Sequence, residues 1–225
     1  MKLDQRLSAV AALVRLGSRL ADIGTDHAYL PVWLVQNGVC PAAIAADLRP
    51  GPLEAARRHV AAAGLEDRIS LRLGDGLAPV FPGEADDIVI AGMGGETIAA
   101  ILSAADWLAD ARLRLVLQPM SRAEETRRWL LKNGFSVTEE RLVRDGRWLY
   151  PVMAAAYTAA PPLTDPLPAY AGFFSPREGS VYRRAIAGHL RRRAAGLART
   201  DAPAADELEQ LARRLEQLAE EGENV

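Results

Sequence analysis

The chain has 225 residues, of which 49% are apolar, and a formal net charge of -2 at pH 7. This length and composition are sufficient for one large domain, or a domain with an appendage, around a full hydrophobic core. The near-neutral charge excludes a global basic field, so a nucleic-acid partner would need a local basic patch. The single cysteine, Cys40, excludes an internal disulfide and a cysteine-rich zinc site.

Hydropathy gives no sign of a membrane partner. The N-terminal segment is charged throughout and lacks the apolar run of a signal peptide. No window reaches the length of a membrane span without charged residues. We therefore expect a soluble, cytoplasmic protein that uses neither a membrane nor a metal.

Apolar periodicity predicts alternating helices and strands in the first two thirds of the chain. The predicted helices are 4–17, 27–38, 52–64, 96–108 and 123–134. The predicted strands are 19–24, 42–48, 69–75, 86–95 and 112–120. Two further strands follow within 135–158, around a hairpin turn at Asp145-Gly146. This order predicts an α/β fold with a parallel sheet, and the terminal hairpin favours a Rossmann-like class I methyltransferase over a dehydrogenase.

The composition changes after Thr158. Residues 159–176 are rich in proline and indicate a connector. Residues 177–199 hold seven arginines and one glutamate, whereas residues 201–225 hold eight acids and two arginines. We therefore predict two domains, 1–158 and 159–225, the second being a helical hairpin with a basic arm and an acidic arm.

Leucine spacing predicts how the two arms pack. The acidic arm has a heptad seam made by Leu208, Leu211, Leu215 and Leu218. The basic arm has a matching apolar stripe made by Ile186, Leu190 and Leu197. A break at 201–205, which contains Pro203, would separate the arms. The prediction is a coiled-coil-like antiparallel hairpin.

Acidic residues follow the predicted strands at the sheet edge where α/β proteins bind ligands. They are Asp22, Asp26, Asp47 and Asp75. Asp26 stands where the dinucleotide fingerprint G-x-G-x-x-G requires its second glycine. Four carboxylates would repel a pyrophosphate, but they suit the amine, hydroxyls and sulfonium of S-adenosylmethionine (SAM).

Each predicted cofactor contact has a chemical reason. Gly24 lets the backbone approach the methionine end of SAM. Asp47 lies at a distance along the chain from Gly24 that suits a carboxylate accepting both ribose hydroxyls, and Asp75, between Gly74 and Gly76, can accept the adenine amine. The segment Ala91-Gly92-Met93-Gly94 leaves room for a flat substrate. Alternatively, the aspartates are helix caps, and the glycines merely permit close packing.

Five motifs together resemble the TrmK-type bacterial tRNA (adenine-N(1))-methyltransferases. They are "DIGTDHAYLP", "RPGPLEAAR", "RLGDGL", "IAGMGG" and "LQPM", and the similarity extends over about residues 3–157. The resemblance implies methylation of N1 of adenosine 22 in tRNA with SAM as donor. It implies cofactor contacts at Asp22, Gly24, His27, Asp47, Asp75 and Ala91–Gly94. The sequence departs from the family pattern at Arg49, which follows Asp47.

Three residues of the first turn are candidates for catalysis. Asp26 could offset the charge that develops on a methylated adenine or accept from its amine, and His27 and Tyr29 could position or stack the base. The bland alternatives are that His27 merely starts a helix and that Tyr29 belongs to the core.

The basic arm is the predicted contact for tRNA phosphates. The predicted contacts are Arg183, Arg184, Arg191, Arg192 and Arg193, with Arg177 and Arg199 on the same arm. Alternatively, these arginines pair with the acidic arm. Other functions remain open: a methyltransferase for another RNA, a protein or a small molecule, with the hairpin as a dimerisation element, or a tRNA-binding protein without activity. The sequence leaves the oligomeric state undetermined.

Overall fold

The computed structural model describes residues 2–146 and 148–223. The chain divides into two compact units, Met1–Pro162 and Leu163–Val225. Arg147, in the predicted hairpin turn, and residues 224–225 of the predicted acidic arm lie outside the described residues.

The first unit is a seven-stranded sheet with helices on both faces. Its strands are β1 (Leu20–Ile23), β2 (Ala43–Asp47), β3 (Ile69–Leu73), β4 (Asp87–Gly94), β5 (Arg114–Ser121), β6 (Phe135–Asp145) and β7 (Trp148–Tyr157). Its helices are α1 (Gln5–Ala11), α2 (Tyr29–Gln36), α3 (Pro50–Ala62), α4 (Gly95–Ser103) and α5 (Ala123–Lys132), with a short 3-10 helix at Asp106–Leu108.

The strand order is β3-β2-β1-β4-β5-β7-β6. Strands β1 to β5 are parallel, while β7 pairs antiparallel with both β5 and β6. This confirms the predicted Rossmann-like sheet and its terminal hairpin. The order reverses between β1 and β4, so a crevice opens there at the carboxyl ends of the strands.

Both faces of the sheet are buried, because successive residues of a strand point to opposite faces. Leu20 joins the cluster that packs against α1, α2 and α3, whereas Ala21 joins the one that packs against α4 and α5. A fully buried ion pair joins α5 to the terminal hairpin, since Arg127 Nη2 donates to Glu140 Oε1 at 2.7 Å. The continuous apolar strands of the sequence are thus explained by two cores.

Helix α1 ends earlier than the periodicity predicts. Helix was expected as far as Gly17, but α1 ends at Ala11. The backbone N–H of Arg15 donates to Asp87 Oδ2 at 2.7 Å, and its Nε donates to Oδ1 at 2.7 Å. Because Asp87 is fully buried at the start of β4, these bonds fix residues 12–17 against the sheet and prevent the helix from continuing.

The second unit is a helical hairpin with a short additional helix. It consists of α6 (Leu167–Ala171), α7 (Pro176–Leu197) and α8 (Ala202–Glu223). Two predictions need correction. The supposed connector contains α6, and the break between the arms covers 198–201 rather than 201–205. Asp201 caps α8 by accepting from Ala204 N at 3.1 Å, and Pro203 lies in the first helical turn, where proline is tolerated.

The hairpin has its own apolar core. Leu190, Leu211 and Leu215 are buried in it, as are Tyr170 and Ala171 of α6. The partly buried Leu167, Ile186, Leu208 and Leu218 pack against this core. The predicted seam is therefore confirmed except at Leu197, which is half-buried outside this cluster. Among the described residues, no helix is both long and apolar enough to span a membrane.

Candidate functional site

A cleft of about 680 Å³ lies at the carboxyl ends of the strands, across the point where their order reverses. Most of the predicted site residues line it: Asp22, Gly24, Asp26, Tyr29, Asp47, Gly74, Asp75, Gly76, Ala91, Gly92 and Met93. Two other predicted site residues of this unit, His27 and Gly94, do not line the cleft. The parallel strands thus bring together residues that are distant in sequence.

The turn after β1 is tightly packed against the end of β4. Gly24 has a φ of +73°, in the left-handed region that favours glycine. A Cβ at this position would lie 2.1 Å from Cε of Met93. The turn therefore needs glycine both for its backbone conformation and for the space that Met93 occupies in the cleft.

Asp26 has a strained backbone conformation beside the cleft. Its φ is +53° and its side chain is 61% exposed. Its backbone N–H donates to Asp47 Oδ2 at 3.2 Å. Left-handed non-glycine residues cost about 1–2 kcal/mol each and are concentrated at functional sites. The Asp47 carboxylate therefore helps to fix the turn that presents Asp26 to the cleft.

Asp22 is a buried carboxylate at the base of the cleft. It is 5% exposed and accepts a hydrogen bond from the Thr25 hydroxyl at 2.6 Å. Burial raises the pKa of Asp22 to about 6; the Thr25 hydroxyl opposes this rise, and the nearby Asp47 carboxylate adds to it. A cationic group placed against Asp22 would favour its ionised form.

The two remaining predicted carboxylates lie toward the β2 and β3 side of the cleft. Asp47 is buried at the end of β2, and its Oδ1 accepts from Arg49 N at 2.9 Å. Asp75 is exposed just beyond β3, between the two glycines of its motif. Gly74 leaves room for Pro79, since a Cβ there would lie 2.9 Å from the proline ring.

Three rings pack together at the start of α2. His27 stacks on Tyr29 with ring centroids 5.4 Å apart, and His59 and Tyr29 form a T-shaped pair with ring centroids 4.9 Å apart. His59 Nδ1 lies 2.9 Å from the His27 carbonyl oxygen. Tyr29 lines the cleft, whereas His27 does not, and the Nε2 of His27 lies 3.7 Å from Asp26 Oδ2. The sequence analysis gave His27 and Tyr29 the same candidate role, but only Tyr29 lines the cleft.

The end of β4 is irregular, which opens the cleft floor. The pairing of β4 with β5 shifts at Ala91–Met93 and again before Gly94, and Gly92 has a φ of +80°. Gly94 caps the N-terminus of α4 and does not line the cleft. Gly94 thus has a structural role at the start of α4, and its contact with the cofactor stays a prediction.

Several cleft residues were missed by sequence reasoning: Asp4, Arg6, Leu7, Ile23, Thr25, Leu30, Ala46, Leu48, Arg49, Thr97 and Ile101. Leu48 and Arg49 follow Asp47 directly, so their position could have been inferred. Arg6 gave no signal, because single arginines carry little weight in a chain with 25 of them. Its contact with Gln118 joins residues 112 positions apart.

The arginines of the second unit fall into different environments. Arg183 is buried, and its Nη1 donates to the Pro176 carbonyl at 3.3 Å. Because its guanidinium is not presented to solvent, the prediction that Arg183 contacts RNA is corrected. Arg184 pairs with Glu223 at 2.6 Å, and Arg191 pairs with Glu216 and Glu209. These two arginines hold the arms together.

The remaining arginines of α7 and its end face solvent. Arg192 and Arg193 are exposed on α7, as are Arg177 near its start and Arg199 just after its end. In the part of the chain that the structure describes, Arg192 and Arg193 have no ion-pair partner. No group of three or more histidine, cysteine or acidic residues suited to a metal occurs among the described residues.

The chain matches a family of known proteins. Residues 3–153 match the family model of a methyltransferase domain. The tRNA (adenine(22)-N(1))-methyltransferase of Bacillus subtilis is 43% identical over 155 residues, which make up 69% of this chain and 65% of that protein. The sequence alignment therefore spans just under two thirds of that relative.

Solved structures extend the match over the whole chain. The B. subtilis m1A22 tRNA methyltransferase TrmK is 33% identical, with a TM-score of 0.83 over 98% of both chains. A putative tRNA (m1A22) methyltransferase of Streptococcus pneumoniae, in complex with S-adenosyl-L-methionine, is 30% identical, with a TM-score of 0.76 over 98% of this chain and 99% of that one. The similarity therefore covers both compact units.

Replacement of Gly24 by alanine tests the packing of the turn. Gly38 is the matched control, because its φ of +70° is similar but no atom lies within 4 Å of its Cβ position. Both variants should lose about 1–2 kcal/mol of stability from backbone strain. Only Gly24→Ala forces Met93 to move, so only that variant should lose affinity for SAM, by roughly tenfold or more.

Thermal unfolding measures the first effect, and calorimetric titration with SAM measures the second. Equal SAM affinity in the two alanine variants would show that Met93 moves without disturbing the cleft.

Proposed function

We propose that this chain, which belongs to the TrmK family of methyltransferases, methylates N1 of adenosine 22 in tRNA with S-adenosylmethionine as the donor. The observation that carries the proposal is the acidic cleft at the β1–β4 crevice, in a chain similar over its length to the TrmK fold. Bacterial tRNA is cytoplasmic, so a cytoplasmic location is part of the proposal.

The cleft fits the chemistry of SAM. The ammonium and sulfonium groups of SAM are cationic, and such a charge would stabilise the buried Asp22 carboxylate. Asp47 retains acceptor capacity for ribose hydroxyls beyond its two backbone hydrogen bonds. Asp75 is exposed at the far end, where it can accept from the adenine amine. A phosphate-bearing dinucleotide would be repelled by the same carboxylates.

The transfer itself needs little proton chemistry. When bound, SAM would supply an electrophilic methyl group to the N1 lone pair, with S-adenosylhomocysteine as the leaving group. Because N1 already has its lone pair, no residue of the chain must act as a general base. The product base is cationic, so a negative lining lowers the barrier. The exposed carboxylate of Asp26 can supply this lining.

Tyr29 is the candidate platform for the target base. Its ring lines the cleft and is held between His27 and His59. Aromatic side chains stack on unpaired bases without regard to sequence. A base within structured tRNA must leave its stack to reach such a ring. In this proposal His27 supports Tyr29 by stacking on its ring rather than contacting the cofactor.

The exposed arginines of α7 are the proposed phosphate contacts. Arg192 and Arg193 carry no internal ion pair among the described residues, so their charges are available to an anion. Arg184 and Arg191 are largely neutralised by α8. A different methyl acceptor remains the alternative, and failure to bind tRNA would favour it.

The decisive test is methyl transfer from labelled SAM to unmodified tRNA with adenosine at position 22. We expect 1-methyladenosine at that position and none in the same tRNA carrying guanosine there. Nucleoside mass spectrometry identifies the product. A protein that binds SAM but methylates neither tRNA would require another acceptor for the same cleft.

A pH titration tests the role of Asp22. Its folded-state pKa of about 6 is above the ordinary carboxyl value of about 4, so the free protein loses stability as the pH rises between these values and Asp22 ionises. A bound cation favours the carboxylate. SAM affinity should therefore fall as the pH drops below about 6, by up to tenfold per pH unit, and be constant above.

Calorimetry from pH 5 to 8 measures this dependence. Asp22→Asn should bind SAM more weakly and with a flatter pH profile. His27 is a titratable residue of the same turn that does not line the cleft. His27→Gln should therefore keep the wild-type dependence of SAM affinity on pH. A wild-type affinity that is constant over this range would contradict the role of Asp22.

Replacement of the exposed arginines tests the RNA surface. Arg192→Gln/Arg193→Gln should weaken tRNA binding and lower the slope of log affinity against log salt by about 2, since each phosphate contact contributes about 1. Arg57→Gln/Arg58→Gln on α3, whose arginines lie near Glu54, is the control with the same change in net charge. Filter binding at several salt concentrations measures the tRNA affinity of both double variants. Equal affinities and equal salt slopes would contradict a phosphate contact on α7.

A further inference from the structure

Arg6 is a cation in an acidic cleft. The charged residues that line the cleft in the described chain are five aspartates and two arginines, Arg6 and Arg49. Arg49 is 72% exposed and lies beside Asp47, with its Nε 3.9 Å from Oδ1. Arg6 is better enclosed, with a side chain 21% exposed. The two arginines thus occupy different environments within one cleft.

A buried amide fixes Arg6 in place. Gln118 is fully buried near the end of β5, and its Oε1 accepts from Arg6 Nη1 at 2.9 Å and from Gly92 N at 3.1 Å. Its Nε2 donates to the Pro119 carbonyl at 3.0 Å. Because both ends of the amide have partners, its orientation is set, and with it the direction in which it holds Arg6.

Arg6 keeps donors for a ligand. A guanidinium has five N–H groups, and Gln118 takes one of them. Asp4 Oδ2 lies 3.7 Å from Nη2, which is beyond hydrogen-bond distance. Asp4 instead caps α1 by accepting from Leu7 N at 2.6 Å. The guanidinium is thus held at one corner with most of its donors uncommitted.

The sheet order places Arg6 at one end of the cleft. Across the rim the strands run β3, β2, β1, β4, β5 at spacings of about 4.8 Å, so β3 and β5 are roughly 19 Å apart. Asp75 and Asp47 follow β3 and β2, where the proposed function puts the adenosine. Arg6 bonds to β5 and lies 3.6 Å from the Cβ position of Gly92 on β4. It therefore lies on the methionine side.

The methionine end of SAM carries a carboxylate as well as an ammonium group. In a cleft lined by five aspartates, a carboxylate without a cationic partner would be repelled. Arginine matches carboxylate geometry through paired N–H donors. Near the methyl acceptor, moreover, the positive charge of Arg6, which the Asp4 carboxylate at 3.7 Å offsets only in part, would oppose the cation formed on the base. A carboxylate on Arg6 would remove both problems.

We propose that Arg6 binds the carboxylate of the methionine moiety of SAM, and that Gln118 is the positioning residue that orients it. This assignment rests on the proposed function, since it takes SAM as the ligand. It gives the "LQPM" motif a role, because Gln118 joins Arg6 to the Gly92 turn. The chain then recognises both charges of the amino-acid moiety, the ammonium through acids and the carboxylate through Arg6.

The test compares SAM with decarboxylated SAM, which keeps the ammonium and sulfonium groups and lacks only the carboxylate. Calorimetry on the full chain gives the affinity of each ligand for each variant. Arg6→Met should weaken SAM binding by roughly 10- to 100-fold and change binding of the decarboxylated ligand less than twofold. Wild-type protein should prefer SAM by a similar factor.

Two further variants keep the test specific. Gln118→Leu should also reduce the preference for SAM over its decarboxylated form, whereas a merely structural role would weaken both ligands equally. Arg49→Met, which removes the other cleft cation, should leave the preference unchanged. Thermal unfolding of each variant verifies that it is folded, and Arg6→Lys, which retains the charge, should recover part of the preference.

The outcomes separate the two proposals. Wild-type protein that fails to bind SAM removes the proposed function itself. Wild-type protein that binds SAM, with Arg6→Met losing affinity for both ligands equally or for neither, overturns only the assignment of Arg6. Unchanged SAM affinity with a raised KM for tRNA would place Arg6 on the RNA side and also overturn it.

Discussion

The crowding of carboxylates at one edge of the sheet is the constraint on which the cleft depends. Parallel strands all end at the same edge, so side chains that follow β1 and β2 must meet there. Asp22 and Asp47 are both buried, and the pKa of Asp22 rises to about 6 because burial and its neighbour disfavour its charge. Such a site favours a cationic ligand and disfavours a phosphate. Under the proposed function, charge at this edge of the sheet is what suits a Rossmann-like fold to SAM rather than to a dinucleotide.

The same carboxylates also organise the backbone. Asp47 accepts from the N–H groups of Asp26 and Arg49, so one side chain fixes the turn after β1 and the start of α3. Gly24 and Met93 fill the space between the ends of β1 and β4. Gln118 fixes the end of β4 and Arg6 in a similar way, because its side-chain oxygen accepts hydrogen bonds from Gly92 N and Arg6 Nη1. Each wall of the cleft is therefore held by a buried polar group from a neighbouring strand, which preorganises the cleft before a ligand arrives.

Much of this arrangement follows from the sequence, because strand ends can be located from apolar periodicity and parallel topology then brings them together. The acids of the rim were predictable for that reason. What the sequence could not supply depends on long-range contacts. The burial of Asp87 ends α1 early, through Arg15. The ring cluster of His27 and Tyr29 includes His59 from another helix, α3. Arg183 is buried within the hairpin, which a count of arginines does not reveal.

The distribution of charge constrains how RNA can approach. A cleft lined mainly by carboxylates repels the phosphate backbone but accepts a neutral base that becomes cationic on methylation. Under the proposed function, the tRNA phosphates would therefore be held elsewhere, by arginines that have no ion pair within the described chain. In the second unit, α8 neutralises Arg184 and Arg191 and leaves Arg192 and Arg193 exposed. The acidic arm thus limits the basic surface to a few positions. In this proposal a basic surface attracts the tRNA phosphates, and an acidic cleft accepts the target base. The opposite charges of the two surfaces disfavour non-productive binding of RNA backbone in the cleft.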